Sequence, residues 1–263
     1  MIDIKTFQDQ LNLQQPKRLM KYILIWCSKG SVNYIIDDKE FSLLENQLIT
    51  ITSGQVHYLT KYDHPQGFIL EFTLDFFCKD DEDIELIFHN GLFCHFAMNE
   101  VITIAKSNYI ECQLSLIREE LQHKPYQYLT SIRARIELIL VEINRAKVCE
   151  GKEIYKPDAL FLKFLELVRN NFKNNLPLNY YAELLGTTAS KLNEQSKLHT
   201  GKTAQNVIYG LIVSEAKRLL RYQNTSIKEV AHQLGFDDPF YFSNFFKKHS
   251  QESPKSYKLK QAF

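Results

Sequence analysis

The chain has 263 residues, with 44% apolar and 24% charged side chains and a net charge of +1. That length exceeds one small domain and suits two of ordinary size, and the composition is that of a globular protein. No apolar run approaches the roughly 18 residues of a membrane helix, and the start Met1-Ile2-Asp3-Ile4-Lys5 lacks the basic and apolar regions of a secretory signal. A cytoplasmic chain with no membrane partner is expected.

Cys27, Cys78, Cys94, Cys112 and Cys149 are scattered and form no CxxC pair. A disulfide framework or zinc site is not expected; reduced thiols packed as small apolar residues are. The net charge hides an asymmetry. Residues 161–263 carry 15 Lys+Arg against 8 Asp+Glu, a balance of +7, and residues 1–160 carry 17 against 23, a balance of −6. A basic half beside an acidic half suits a polyanion-binding module on a separate domain.

In chain order, residues 20–74 read as β-rich. Lys21–Cys27 is a β-branched and aromatic run, Ser28–Ser31 a turn, Val32–Ile36 a strand, Asp37–Glu40 a tight turn and Phe41–Leu44 the next strand. Leu48–Ile51, Val56–Thr60 and Phe68–Leu74 follow, with a break at Ser53-Gly54. Short strands at this spacing predict a small antiparallel barrel or sandwich. From about residue 106 the apolar period becomes helical. Ile110, Leu114, Ile117 and Leu121 form one stripe, and Leu129, Ile132, Ile136, Ile139 and Ile143 a second, separated by Gln122-His123-Lys124-Pro125. This is a helical hairpin whose second stripe either covers the barrel or pairs with a second copy of the chain. The polar segment 149–158 reads as a linker, after which Asp158 is placed to cap a helix reaching about Asn174.

The C-terminal half holds one pattern twice. Leu178–Leu192 and Ile227–Phe242 each open on an apolar residue, carry an alanine, then Leu-Gly, then a polar cap and a second helix. Ala182 matches Ala231, Leu185 matches Leu234 and Gly186 matches Gly235, each 49 residues apart. The alanine suits a close helix crossing, the glycine ends a helix at positive φ, and Thr188 and Asp238 or Asp237 cap the helix that follows. These are two helix-turn-helix units. Between them Ala204–Tyr222 reads as one long helix, and Ser226 with Glu229 forms a capping box.

Ala216-Lys217-Arg218-Leu219-Leu220, Ser226–Ala231, Leu234–Asp238, Tyr241–Lys248 and Ser253–Tyr257 resemble the DNA-binding domain of the AraC/XylS family of bacterial transcription regulators. The resemblance spans about residues 160–260 and departs from the family at Gln251, where glycine is usual, and at Glu194 and Ser196, where Arg and Phe are common. It implies an α+β protein of two domains. Residues 1–150 would be a cupin-like β-barrel plus helical hairpin for effector binding or dimerisation, and residues 158–263 an all-α domain with two helix-turn-helix units joined by a linker helix.

Carried over by position, the resemblance puts Ser190, Asn193 and Glu194 of the first recognition helix, and Pro239, Phe240, Tyr241 and Asn244 of the second, against bases. Asn can hold adenine bidentately and aromatic rings can meet thymine methyls. Thr188, Lys191, Lys197, Lys202, Lys247 and Lys248 would contact phosphate, while Phe242, Phe245 and Phe246 at helical spacing are expected in the core. The partners implied are double-stranded DNA, RNA polymerase, a small effector and a second copy of the chain. The expected output is activation of transcription.

Thr52-Ser53-Gly54-Gln55-Val56-His57 resembles the second cupin motif, with Thr52 in place of proline. The effector pocket is placed near Trp26, Tyr34, His57, Tyr58 and Phe72. A cupin-type metal enzyme is the alternative from another class, together with a ligand-binding protein keeping a vestigial DNA-binding domain. His57, His64 and Glu71 are spaced seven apart without an HxH pair, and no nucleotide, hydrolase or protease motif occurs, so neither cofactor nor metal is expected. Glu194 on the DNA face also fits an interaction protein that no longer binds DNA.

Overall fold

A computed structural model describes residues 1–9, 15–37, 39–78, 92–93, 99–149, 159–171, 174–223 and 225–260. The chain divides into two compact units, Met1–Lys156 and Pro157–Phe263.

The first unit is built on a seven-stranded antiparallel sheet. Its strands are β1 (Ile2–Thr6), β2 (Lys17–Arg18), β3 (Tyr22–Ile36), β4 (Lys39–Leu43), β5 (Gln47–Ile51), β6 (Val56–Phe72) and β7 (Val101–Thr103). The main path runs β1-β6-β3-β5-β7, with β2 added on β6 and β4 on β3. Among the described residues no pairing joins β1 to β7, so this is an open, folded sheet where a closed barrel was expected.

Two predicted breaks are absent. Tyr22–Cys27 and Val32–Ile36 belong to one 15-residue strand, and Val56–Thr60 and Phe68–Phe72 to one 17-residue strand, while Lys21 lies outside and Leu74, expected to end a strand, opens a helix. Register shifts between Cys27 and Ser31 and between Asn33 and Tyr34 act as bulges, which bend a pair without ending it. Gly30 (φ 75°) and Gly67 (φ 140°) sit at the bend. A Cβ on Gly30 would collide with the carbonyls of Asp63 and His64, and one on Gly67 with that of Trp26.

Both faces of the bent sheet are buried. Ile23, Ile25, Cys27, Val32, Tyr34 and Ile36 of β3 share one core with Leu59 and Ile69 of β6, Leu43, Ile49 and Ile51. Tyr22, Leu24 and Trp26 alternate to the other face, where Tyr22 meets Phe93 edge-on at 5.3 Å and stacks with Phe72 at 6.1 Å. Helices α1 (Leu74–Phe77), α2 (Ser107–His123) and α3 (Tyr128–Cys149) complete the unit. Helix α2 packs on β1 and β6, and α3 on α2 and β7. The second stripe is used inside the unit. Ile132, Ile136, Ile139 and Ile143 are buried to 1% exposure or less, so they are not available to a second copy, and only Leu129 stands exposed. Cys27 alone of the described cysteines is buried; Cys112 and Cys149 are exposed on their helices, against expectation, and Cys94 lies outside the described residues.

The second unit is all helical: α4 (Ala159–Asn170), α5 (Leu178–Leu184), α6 (Ala189–Thr200), α7 (Ala204–Tyr222), α8 (Ile227–Gln233), α9 (Pro239–Ser250) and α10 (Pro254–Lys260). Helix α7 has the bounds read from the sequence, and Ser226 and Glu229 make the expected capping box. Asp158, expected to cap α4, lies outside the described residues, and α4 ends at Asn170, four residues short of the predicted end. Gln251 closes α9 in the left-handed conformation (φ 69°), where its Cβ is strained. Replacing Gln251→Gly should therefore stabilise the second unit by about 1 kcal/mol, read as a higher midpoint in urea unfolding of the full chain.

Candidate nucleic-acid interface

The two repeats fold into the same hydrogen-bonded turn. In the first, Leu185 N donates to Tyr181 O (3.1 Å), Gly186 N to Glu183 O (3.0 Å) and Thr187 N to Ala182 O (2.9 Å). In the second, Leu234 N donates to Val230 O (3.1 Å), Gly235 N to His232 O (3.1 Å) and Phe236 N to Ala231 O (3.0 Å). Every donor and acceptor has its counterpart 49 residues on. Gly186 (φ 61°) and Gly235 (φ 76°) reverse the chain, and Ala182 and Ala231 are buried.

The turns then differ by one residue. Thr188 caps α6 by accepting from Lys191 N (3.2 Å), whereas Asp238, not Asp237, caps α9 by accepting from Phe240 N (2.8 Å), with Pro239 at the first helical position. The second helix of each pair rests on α7, and α7 also touches α4, α8 and α10.

Side chains expected to read bases divide into two groups. On α9, Phe240 is 81% exposed and Tyr241 64%, Asn244 is exposed and Pro239 half-buried. Phe242 and Phe246 point inward at 0% exposure, and the half-buried Phe245 packs on Tyr209 and Phe236. On α6, Ser190 is exposed, but Asn193 and Glu194 are engaged. Asn193 Oδ1 accepts from Ala204 N (2.9 Å), one of the free amides at the start of α7. Glu194 pairs with Lys191 (2.7 Å), which offsets its negative charge. Leu198, not singled out from the sequence, lies one turn beyond Glu194 and is 72% exposed. An apolar residue at an exposed helical position was its only signal.

Thr188, Lys191, Lys197, Lys202, Lys247 and Lys248 are all exposed. Among the described residues, Lys197, Lys202, Lys247 and Lys248 have no carboxylate partner. Burial, then the charge of Lys248, holds the His249 pKa below its usual value, so the positive charge at the end of α9 comes from the two lysines. The interior of the first helix-turn-helix is incompletely satisfied. Ser196 Oγ and Gln195 Oε1 are buried without hydrogen-bond partners, at a position where the family commonly has Phe.

In the N-terminal unit, a cavity of about 210 Å³ opens on the inner face of the sheet. Tyr34, His57 and Tyr58 line it as expected, with Lys5, Lys17, Lys21 and Glu71. Trp26 and Phe72 do not: both face the other side, where Trp26 Nε1 donates to Glu111 Oε2 (2.7 Å) on α2. His64 projects into solvent and Glu71 is ion-paired to Lys21, so the seven-residue spacing gathers no metal-binding set there. Because Asn193 caps α7, Asn193→Ala should cost about 1 kcal/mol of stability, measured by urea unfolding, with no change in the order of preferred DNA sequences.

Residues 181–260 match the family model described as a helix-turn-helix domain. The HTH-type transcriptional regulator in the cgkA 5′ region of Pseudoalteromonas carrageenovora is 34% identical over 115 residues, covering 44% of this chain and 68% of that one. The HTH-type transcriptional activator RhaS of Enterobacter sp. (strain 638) is 28% identical over 117 residues, covering 44% of this chain and 41% of that one. The match thus spans less than half the length of RhaS. Among solved structures, ToxT from Vibrio cholerae O395 aligns over 98% of this chain and 96% of that one, at 14% identity and a TM-score of 0.46. The chain belongs to the AraC-type helix-turn-helix transcription regulators.

Proposed function

We propose that the chain is a cytoplasmic, sequence-specific regulator of transcription that inserts α6 and α9 into successive major grooves of one DNA face, about one helical turn apart. One observation carries this reading: two identical turns on one buried helix hold two recognition helices, and the start of α9 presents Phe240 and Tyr241 uncovered. Large exposed rings at a helix start, flanked by unpaired lysines, suit contact with thymine methyls between phosphate strands.

Base reading falls mainly to α9, through Pro239, Phe240, Tyr241 and Asn244. On α6, Ser190 and Leu198 are free to touch bases, Glu194 reads only if it leaves Lys191, and Asn193 holds the fold. Thr188, Lys191, Lys197, Lys202, Lys247 and Lys248 position the backbone. Activation follows the sense in which RhaS is described, and an activator of this kind would have RNA polymerase as its partner. Residues 1–150 serve as the effector domain and 158–263 as the DNA-binding domain. The effector site is the inner cavity lined by Tyr34, His57 and Tyr58.

The test is selection of bound fragments from sheared source DNA, sequenced at two salt concentrations. A recurring site with two short blocks about one turn apart supports the reading; binding of every fragment alike at low salt, with loss at high salt, counts against it. On such a site, Asn244→Ala should cost about 1–3 kcal/mol and relax one base position. An equal loss on all sequences would reassign Asn244 to the backbone. Replacing Lys247 and Lys248 together by Ala should weaken all sequences alike and flatten the dependence of log affinity on log salt by about 2.

A further inference from the structure

The cavity of the N-terminal unit is charged in a way that its own fold does not complete. Strand pairing sets Glu71 opposite both Asp3 and Ile23, and Lys5 opposite Ile69, so these side chains share the inner face. Glu71, nearly buried, accepts from Lys21 Nζ (2.8 Å) and lies 3.8 Å from Lys5 Nζ. Lys5 also pairs with Asp3 (2.8 Å). Lys17, paired in register with His57, adds a third ammonium to the lining and has no carboxylate partner among the described residues. The lining therefore carries three lysines against one carboxylate.

Two polar side chains of the cavity wall have hydrogen-bonding capacity that the described residues leave unused. Tyr34 is 5% exposed, and no hydrogen bond to its hydroxyl is found among the described residues. His57 is 8% exposed, with Nδ1 at 3.4 Å from Gln55 O and, among the described residues, no hydrogen bond on its other ring nitrogen. Both are placed to bond a molecule seated in the cavity. With Nδ1–H directed at the carbonyl, Nε2 is left as an acceptor, and burial keeps the ring neutral by lowering its pKa. Ile23, Ile25 and Ile69 supply an apolar floor beside these polar groups.

We propose that this cavity binds a small hydroxylated organic carboxylate, with its charge against Lys17 and Lys21, its hydroxyls on Tyr34 and His57, and its carbon body over the isoleucines. A neutral sugar would leave Lys17 uncompensated. A plain alkyl acid would leave Tyr34 and His57 without partners. The proposal rests on the cavity being the effector site and names the chemistry of its ligand.

Thermal shift and titration calorimetry on the full chain test it with L-lactate, D-gluconate, D-glucuronate and D-galacturonate. The neutral comparisons are D-glucose and methyl D-glucuronate, and hexanoate serves as an unhydroxylated acid. At least one hydroxylated acid should bind and raise the melting temperature, with its neutral counterpart bound at least tenfold more weakly. Lys17→Gln should leave the unliganded melting temperature unchanged, since Lys17 has no carboxylate partner, yet lose at least tenfold in affinity for the acid. Tyr34→Phe should weaken the hydroxylated acid and not hexanoate. Binding of none of the four acids, equal binding of neutral sugars, tightest binding of hexanoate, or an unaffected Lys17→Gln variant each overturns the proposal. The effector reading is tested separately. An acid that binds through Lys17 but leaves operator affinity unchanged removes the effector role while the carboxylate site stands.

Discussion

Helix α7 sets the terms for the whole second unit. Eleven of its 19 side chains are buried, from Ala204 at its start to Leu220 near its end. A helix apolar over so much of its circumference cannot be satisfied by one neighbour. It is covered by α4, α6, α8, α9 and α10. Burying each Val, Leu or Ile side chain contributes about 1.5–3 kcal/mol, so these contacts hold the neighbouring helices in place. Both recognition helices are consequently fixed to one rod. Glu215 and Arg218, an i,i+3 pair at 3.6 Å, lie within this buried surface and are paired there, as buried charges must be.

On that rod, one backbone device is used twice with different surfaces. The turns share their hydrogen bonds at a constant offset, yet the two helices that follow leave different side chains uncommitted. The side-chain amide of Asn193 is drawn into the start of α7, Glu194 is neutralised by Lys191, and the buried hydroxyl of Ser196 has no partner. The first two of these bonds take up polar groups that would otherwise face outward from α6. In the second unit the cap is taken by Asp238 and the first helical position by Pro239, which leaves Phe240, Tyr241 and Asn244 uncommitted.

The first unit also serves two purposes with one element. Of the even residues of β3, Tyr22 meets Phe93 and Trp26 meets α2, while the odd residues Ile23 and Ile25 line the cavity. Trp26 anchors α2 through Glu111, so the sheet, the helical hairpin and the cavity wall belong to one packed body. The same strand thus packs against the helices on one face and walls the cavity on the other.

Features whose partners lie within a turn or two along the chain were legible in the sequence. The bounds of α7, the capping box at Ser226 and the positive φ at Gly186 and Gly235 depend on hydrogen bonds and sterics spanning a few residues, which residue type alone largely dictates. Side-chain direction over longer distances was not. Trp26 and Tyr34 are both even-numbered on one strand, yet the bulges between them reverse the alternation and send them to opposite faces. Those bulges keep their pairing, so the turn signal at Ser28–Ser31 marked a bend where a break was expected. Asn193 likewise reads as a groove-facing residue until α7 brings the amide of Ala204, 11 residues on, within reach. Composition and local bonding determined the helices, the turns and their caps. Only tertiary packing decided which faces were already occupied, because occupancy depends on neighbours that meet after the chain has folded.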